Sequence, residues 1–389
     1  MKNFVKLVSL LLVATFAVLG FAACGTVEQK FVIGATGPLT GGAATYGVSV
    51  QKGAQLAVDK INAMGGIKWY APDGTELGRM LIDFQMKDDE AGALLAESAY
   101  YTLFEDLGMK VSIGSVTSGS GKAFATAAKE DNLFCLTPSA SADDVVAVGN
   151  HSFRVCFGDP EQGERAADEL VSGGATMIGV VYDTSDTYST GLYEAFIARM
   201  TALNKVEGTD YVVTSFDKDN KRDFSSQVNT MASAGCDAIF LPIYYTEASL
   251  IAIEAAKQNL NVPILGCDGL DGVKALLNNT VTASVRYITP FDATSTDPMV
   301  SEFVEAYKAK YDGEIPTQFA ADAYDAIMII YSAIMTCNID PTQSVSALTE
   351  ALKAALTGGE FTYSGLTGEN MTWTADGKVK KPMQIVTVQ

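Results

Sequence analysis

Histidine is nearly absent from this sequence: His151 is the one copy in 389 residues. It sits in the polar turn "GNHSF", far along the chain from every serine-rich loop. A serine nucleophile with a histidine base, and zinc chemistry built on imidazole, are therefore excluded. No S-x-x-K with its partner motifs supplies a lysine base instead. Cysteines are few and scattered. Cys135, Cys156, Cys236, Cys267 and Cys337 form no close pair of the kind a zinc or redox motif needs. Most lie in apolar, strand-like runs, where a free cysteine acts as a small hydrophobe; one Cys135–Cys156 disulfide is the alternative. Basic residues are scarce as well, 27 against 46 acidic ones, for a net charge of −19. Such a field repels nucleic acid and anionic headgroups alike, so neither is expected as a partner.

The stretch "IGSVTSGSGKAF", Ile113 to Phe124, ends in Gly-Lys and invites a phosphate-loop reading. It fails that test, because Val116 stands where the first glycine is required and Ala123 where a metal-binding hydroxyl is needed. Neither a cofactor motif nor a metal motif is found elsewhere.

At the N-terminus, a short basic start is followed by an apolar run and small residues before Cys24. This is the pattern of an export signal over 1–23. Small residues ahead of a cysteine, followed by "GTVEQK", resemble a bacterial lipobox, which implies lipidation at Cys24 and a linker over 24–30. Removing Lys2 and Lys6 would take the 27 basic residues to 25 against 46 acidic, about −21. Beyond Cys24 no apolar run reads as a membrane span. The expected location is extracytoplasmic, anchored to the membrane by lipid.

From Phe31 onward, short apolar runs alternate with amphipathic segments of helical length. "FVIGAT", "MLIDFQM", "VSIGSV", "LFCLT", "MIGVVY", "YVVTSF", "DAIFLP" and "VPILG" read as buried strands. Between Gly47 and Met64, the residues Val50, Ala54, Ala57, Val58 and Ile61 form one apolar stripe, which Gly65-Gly66 terminates. Pro72-Asp73-Gly74 signals a hairpin leading into the second long strand. This alternation predicts an α/β chain with parallel sheets covered by helices on both faces. A fresh alternation begins after "HSFRVCFGD", so two lobes of similar build are expected, with several chain passages between them.

Two loops carry the functional signal. "IGSVTSGSG" leaves a strand and enters the helix "KAFATAAKED", placing hydroxyls and free N–H groups at a helix N-terminus, where an anion is favoured. Capping by Ser118 or Ser120 is the simpler alternative. "LFCLTPSASADD" ends the next strand in the same way. In parallel α/β sheets ligands sit beyond the carboxyl ends of the strands, so the two loops make one polar cradle suited to a carboxylate.

In order and spacing, "IGATGPLTGGAATYG", "GAQLAVDKINAMGGI", "IGSVTSGS", "LTPSASA", "VVYDTSDTYSTGL", "DFSSQV", "CDAIFLPIYYTEA", "ILGCDG" and "PTQFAADAYDAI" resemble the periplasmic Leu/Ile/Val-binding protein family. The resemblance covers nearly all of the chain after the signal. It implies a type I periplasmic-binding-protein fold: two doubly wound parallel-sheet lobes joined by a multi-strand hinge, here 31–155 plus 291–358 and 156–290 plus 359–389. It also implies a non-enzymatic receptor of an ABC importer that holds a branched-chain or other aliphatic amino acid between closing lobes and delivers it to membrane permease subunits, acting as a monomer. In this reading Ser118, backbone near Gly119, and Ser139, Ala140 and Ser141 hold the ligand carboxylate, and Asp268 in "GCDG" holds the ammonium. The aromatic positions carried over are Tyr46, Tyr188 and Tyr244. Phe319 and Tyr324 read as packing residues on a helix. Two departures stand out: Asp268 is a methylene shorter than the glutamate of the best-known members, and "DTYSTG" has Ser189 where glycine is common. A receptor for a neutral amide or urea, or a sensor-type binding protein, remains the alternative.

Overall fold

The computed structural model describes residues 30–388; the expected signal, the linker and Cys24 lie outside the described residues. The first lobe runs β1 (Lys30–Gly37), α1 (Ala44–Ala63), the hairpin β2 (Ile67–Tyr70) and β3 (Glu76–Asp88), then α2 (Ala93–Tyr101), β4 (Val111–Ser112), α3 (Ser118–Glu130), β5 (Cys135–Thr137), α4 (Asp143–Val146) and β6 (Ser152–Arg154). Its sheet has the order β2-β3-β1-β4-β5-β6. The pairs β1–β4, β4–β5 and β5–β6 are parallel, and the β2–β3 hairpin is antiparallel.

The second lobe runs α5 (Asp159–Ser172), β7 (Ile178–Asp183), α6 (Thr187–Ala202), β8 (Tyr211–Phe216), α7 (Ser225–Ala234), β9 (Ala238–Leu241), α8 (Tyr245–Lys257), β10 (Ile264–Gly266) and β11 (Val285–Thr289). The chain then returns as α9 (Pro298–Lys310), α10 (Gln318–Thr336), α11 (Val345–Thr357) and the short hairpin β12 (Thr372–Trp373) and β13 (Val379–Lys380), and ends in β14 (Gln384–Thr387). The second sheet has the order β14-β11-β10-β9-β7-β8, parallel except where β14 runs against β11.

Physical patterning explains these elements. The stripe expected on α1 is wholly interior, with Val50, Ala54, Ala57, Val58 and Ile61 all buried. Gly66 closes that helix by donating to the Ile61 carbonyl at 3.0 Å. In the hairpin, Ala71 N–H donates to Thr75 O at 2.9 Å, and Gly74 takes the left-handed conformation at φ +85° that glycine adopts without a Cβ penalty.

Helix α10 departs from expectation. By length and composition it could cross a membrane, yet 72% of its apolar window is buried inside the protein. It is the central core helix of the first lobe, packed along α1, and its two interior carboxylates hold the C-terminal segment. Asp322 pairs with Lys381 at 2.8 Å, both groups being almost fully buried. Asp325 accepts from the N–H groups of Leu366 and Thr367 at 3.0 and 2.9 Å and from the Thr367 hydroxyl at 2.7 Å. Trp373 Nε1 donates to Arg154 O at 2.9 Å, and Arg154 N–H donates to Gly377 O at 3.0 Å. Residues 361–381 are thus bonded to α10 and to the end of β6, whereas β14 joins the second sheet. Three passages connect the lobes: β6 to α5, β11 to α9, and β13 to β14.

The five cysteines in the described residues are free, and all but Cys337 are buried. Strand register gives the reason for the first pair. Cys135 lies opposite Ser152, so Cys156 is four residues further along, about 13 Å at the usual rise per strand residue. A disulfide needs Cα atoms within about 7 Å.

Packing of α1 on α10 requires a missing side chain. A Cβ on Gly53 would lie 2.0 Å from the Ala320 carbonyl oxygen, and backbone atoms have no free rotamer by which to yield. Gly53→Ala is therefore expected to lower unfolding free energy by roughly 2–3 kcal/mol, at the upper end of overpacking costs, as read by chemical denaturation.

Candidate functional site

Strands β4 and β5 are neighbours, and their carboxyl ends turn into two loops laced by hydroxyls. Gly114, at φ +69°, turns the chain out of β4. Thr137 Oγ1 donates to Ser115 O at 2.8 Å, and Ser139 Oγ donates to Val116 O at 2.9 Å. Ser118 Oγ accepts from Ala142 N–H at 3.2 Å, which leaves its own proton free to donate elsewhere. Thr117 occupies the N-cap position of α3, not Ser118 or Ser120, and its hydroxyl makes no capping bond. The first amides of α3 have no partner inside the helix, and they point where the helix dipole is positive.

Opposite these loops the second lobe presents a charged and aromatic wall. Tyr188 and Tyr244 stack at 5.0 Å with their planes 3° apart. The Tyr188 hydroxyl donates to Asp268 Oδ1 at 2.7 Å and accepts from Gly269 N–H at 2.8 Å. Gln162 Oε1 accepts from the Asp268 amide at 3.0 Å. Burial pushes the Asp268 carboxyl up to about 6, against the pull of the Tyr188 hydroxyl, the Gln162 side chain and the Gly269 N–H. The phenols of Tyr46, Tyr188 and Tyr244 are pushed up further by burial, so all three remain neutral donors.

Between the two walls lies a narrow cavity, with about 10 Å³ open to a water-sized group, lined by Tyr46, Val116, Thr117, Ser118, Ser139, Tyr188, Tyr244, Asp268, Gly269 and Phe319. That is room for about one water, so the walls are closed on each other here and a solute the size of an amino acid enters only as they part. A neighbouring groove of about 710 Å³ between α4, α5 and α6 is wider and more open, and it carries several carboxylates, including Asp144, Glu164, Asp186 and Glu194. The smaller cavity is the better candidate because it joins an anion-favouring pole to a cation-favouring one inside an aromatic box.

The lobes are bonded across this cavity. Tyr46, from α1, donates its hydroxyl to Gly269 O and accepts from Tyr245 N–H at 3.0 Å. Tyr245 Oη donates to Thr45 Oγ1 at 2.9 Å, and Thr246 Oγ1 donates to Gly42 O at 2.9 Å. Gln318, the first residue of α10, uses every polar group it has: its amide donates to Asp271 Oδ2 at 2.7 Å, Nε2 donates to Asp268 O at 2.8 Å, and Oε1 accepts from the Thr289 hydroxyl at 2.7 Å.

Of the residues expected from sequence, Tyr46, Ser118, Ser139, Tyr188, Tyr244 and Asp268 converge on the cavity. Gly119, Ala140 and Ser141 do not line it. A Cβ on Gly119 would have Thr187 Oγ1 of α6 as its nearest neighbour at 3.9 Å, so this residue faces the second lobe beside the cavity. Ala140 gives its N–H to Thr137 Oγ1 at 3.0 Å. The Ser141 carbonyl is engaged by Asp159 N–H at 3.2 Å and Arg154 Nη1 at 2.9 Å. Ser189 replaces glycine without loss of the turn, since its hydroxyl bridges Asp183 N–H and Pro242 O at 2.8 and 2.6 Å. Phe319, expected as packing, lies against Tyr46 at 4.4 Å and lines the cavity. Thr117, Phe319 and Gln318 escape sequence reasoning because one hydroxyl among many, and two residues opening an apolar helix, carry no pattern of their own. The signal that could have found the last two is Pro316-Thr317 just before them, which sets a helix start and hence an end that can face a cleft.

Comparison with known proteins gives the family and the fold. The model of a family described as periplasmic binding protein matches residues 30–389. A Leu/Ile/Val-binding protein homolog from Brucella melitensis is 29% identical over 90% of this chain and 91% of its own length. The branched-chain amino acid transporter substrate-binding protein LivJ from Streptococcus pneumoniae, solved with isoleucine, superposes with a TM-score of 0.77 at 26% identity, covering 92% of this chain and 95% of that one. An ABC-transporter solute-binding protein from R. palustris, solved with benzoate, shares the fold with a TM-score of 0.78 at 20% identity, over 93% and 94% of the two chains. The chain belongs to the periplasmic binding protein family, as a non-enzymatic, extracytoplasmic substrate-binding component of an ABC transporter.

Proposed function

We propose that this protein captures an aliphatic α-amino acid, of the branched-chain class, between its lobes and hands it to a membrane permease as a lipid-anchored monomer tethered through Cys24. The observation that carries this reading is the Asp268 carboxylate, buried in the same small cavity that Ser118 and Ser139 line from the other side. Ser118, with the α3 amides near Gly119 and the loop through Ala140 and Ser141, forms the carboxylate pole. Asp268 forms the ammonium pole. Tyr46, Tyr188, Tyr244 and Phe319 wrap the side chain, and the lobes, 31–155 with 291–381 and 156–290 with 382–388, are the jaws.

Leu/Ile/Val names among relatives, and isoleucine in a structural neighbour, support the same ligand class. An aromatic carboxylate, as in the benzoate-bound neighbour, satisfies one pole and leaves Asp268 facing a ring. Burying a carboxylate without a partner costs several kcal/mol, so that ligand is disfavoured here. Neutral amides and urea can give Asp268 an N–H donor but no positive charge, so they are disfavoured by the loss of the charge-assisted bond.

Calorimetry with leucine, isoleucine and valine on the protein lacking residues 1–23 is expected to give dissociation constants near 1 μM or tighter, about −8 kcal/mol. Asp268→Asn should weaken binding by roughly 30-fold or more, since an ammonium then loses its charged partner at about 2–5 kcal/mol. Undiminished binding by that variant, or benzoate binding more tightly than any amino acid, contradicts the proposal.

The titration of Asp268 gives the sign of a pH effect. Below pH 6 the carboxyl is protonated and must release its proton to receive an ammonium, so affinity falls towards tenfold per pH unit as pH drops, and is flat above about pH 7. Stability runs the other way. The raised carboxyl holds its proton in the folded state while the unfolded chain has lost it, so the stability Asp268 contributes is present below pH 4 and lost as pH rises through 6. Without ligand, Asp268→Asn should gain on the wild type by up to about 3 kcal/mol between pH 4 and 7.5, as measured by denaturant unfolding.

A further inference from the structure

One cavity-lining hydroxyl has no task inside the protein. Thr117 is 5% exposed, and its Oγ1 has no hydrogen-bond partner. Its neighbours on the two loops are engaged: Ser115 Oγ donates to Asp89 Oδ2 at 2.7 Å, Ser118 Oγ accepts from Ala142, Thr137 Oγ1 donates to Ser115 O, and Ser139 Oγ donates to Val116 O. Ser120 and Ser141 also have unpartnered hydroxyls, but neither lines the cavity. Thr117 is moreover an N-cap threonine whose hydroxyl does not cap, with backbone angles of −96° and 151° that are ordinary for that position. A buried hydroxyl left unpaired costs about 1–3 kcal/mol. Nothing in the loop offsets that cost, whereas a hydroxyl on the ligand would.

The cavity that Thr117 lines also offers Val116 and the rings of Tyr46, Tyr244 and Phe319, besides the polar groups already described. A ligand side chain in that cavity meets these apolar surfaces and, at Thr117 Oγ1, a hydroxyl that has no partner in the protein. Resting on the amino-acid reading above, we infer that Thr117 Oγ1 hydrogen-bonds a side-chain hydroxyl, so that the pocket selects a short β-hydroxy amino acid, threonine foremost, over the aliphatic residue of the same shape. The amino acids that best expose this are threonine and valine, which differ by hydroxyl for methyl. A site with a buried group awaiting a ligand hydroxyl rejects the analogue that lacks one, because that group is then left unpaired.

The test is calorimetry of the wild type, Thr117→Val and Thr117→Ser with threonine and valine. The wild type should bind threonine at least about 10-fold more tightly than valine. Thr117→Val, which swaps the same two groups on the protein, should lose or invert that preference, and Thr117→Ser should keep it. A wild type that prefers valine overturns the inference without recourse to any variant. Equal loss of affinity for both ligands in Thr117→Val also overturns it, by assigning the hydroxyl to the ligand carboxylate. If neither amino acid binds the wild type, the amino-acid reading itself fails and this inference fails with it.

Discussion

A buried carboxylate facing a helix N-terminus across a cavity a few atoms wide is the constraint on which the rest of this structure depends. Asp268 keeps two local donors, the Tyr188 hydroxyl and the Gly269 amide, on one oxygen, too few to cancel the cost of removing its charge from water. The opposing loops bring hydroxyls and the positive end of α3. A zwitterion is the solute that satisfies both poles at once, with its two charges held apart by a single carbon. Each lobe alone has half of that arrangement. The parallel sheets matter because their strands end at the cleft, so that loops carrying the polar groups face each other and the bulk of both lobes serves as rigid backing.

Closure is held by hydrogen bonds, all but the last between neutral groups: Tyr46 to Gly269 and Tyr245, Tyr245 to Thr45, Thr246 to Gly42, Gln318 to the Asp268 carbonyl, and Gln318 N–H to the Asp271 carboxylate. Each neutral bond contributes about 1 kcal/mol net, since water offers replacements when the lobes part. A handful of them lies close to balance against the freedom gained on opening. A ligand that touches both lobes and adds charge-assisted bonds, roughly twice as strong as neutral ones, tips that balance. Gln318 is notable because it stands at the head of the first lobe's central helix and holds the backbone of Asp268 directly, so the position of the charged wall is coupled to the core of the opposite lobe.

Much of this was legible in the residues, for identifiable reasons. Buried parallel strands read as short apolar runs, and every run singled out over residues 31–266 contains one. The α1 stripe repeats at helical spacing, and the Pro72-Asp73-Gly74 turn has a geometry of its own. The polar cavity residues were legible because they sit where strands end, which is a sequence position as well as a place. Three things were not legible. Residues 361–381 are fastened to α10 by its Asp322 and Asp325, and carboxylates on a very apolar helix give no hint of what they will pair with. That helix also imitates a membrane span, since a core helix and a spanning helix obey the same composition. Finally, Gly119, Ala140 and Ser141 share a loop character with their neighbours, yet which of several adjacent groups faces the cavity is decided by bonds such as Ala140 N–H to Thr137, and these are fixed by tertiary geometry. The same holds for Thr117.

The most direct measurement is the titration of the Asp268 carboxyl carbon by nuclear magnetic resonance, in the free protein and in the presence of a saturating amino acid. Burial without a cation places its midpoint at about 6 in the free protein. An ammonium within hydrogen-bonding reach should carry the midpoint down to about 3–5, by the one to three pH units an adjacent opposite charge exerts on a carboxylate. A midpoint that stays near 6 with ligand bound would mean that the ammonium is held elsewhere, and the two-pole account of this cavity would be wrong.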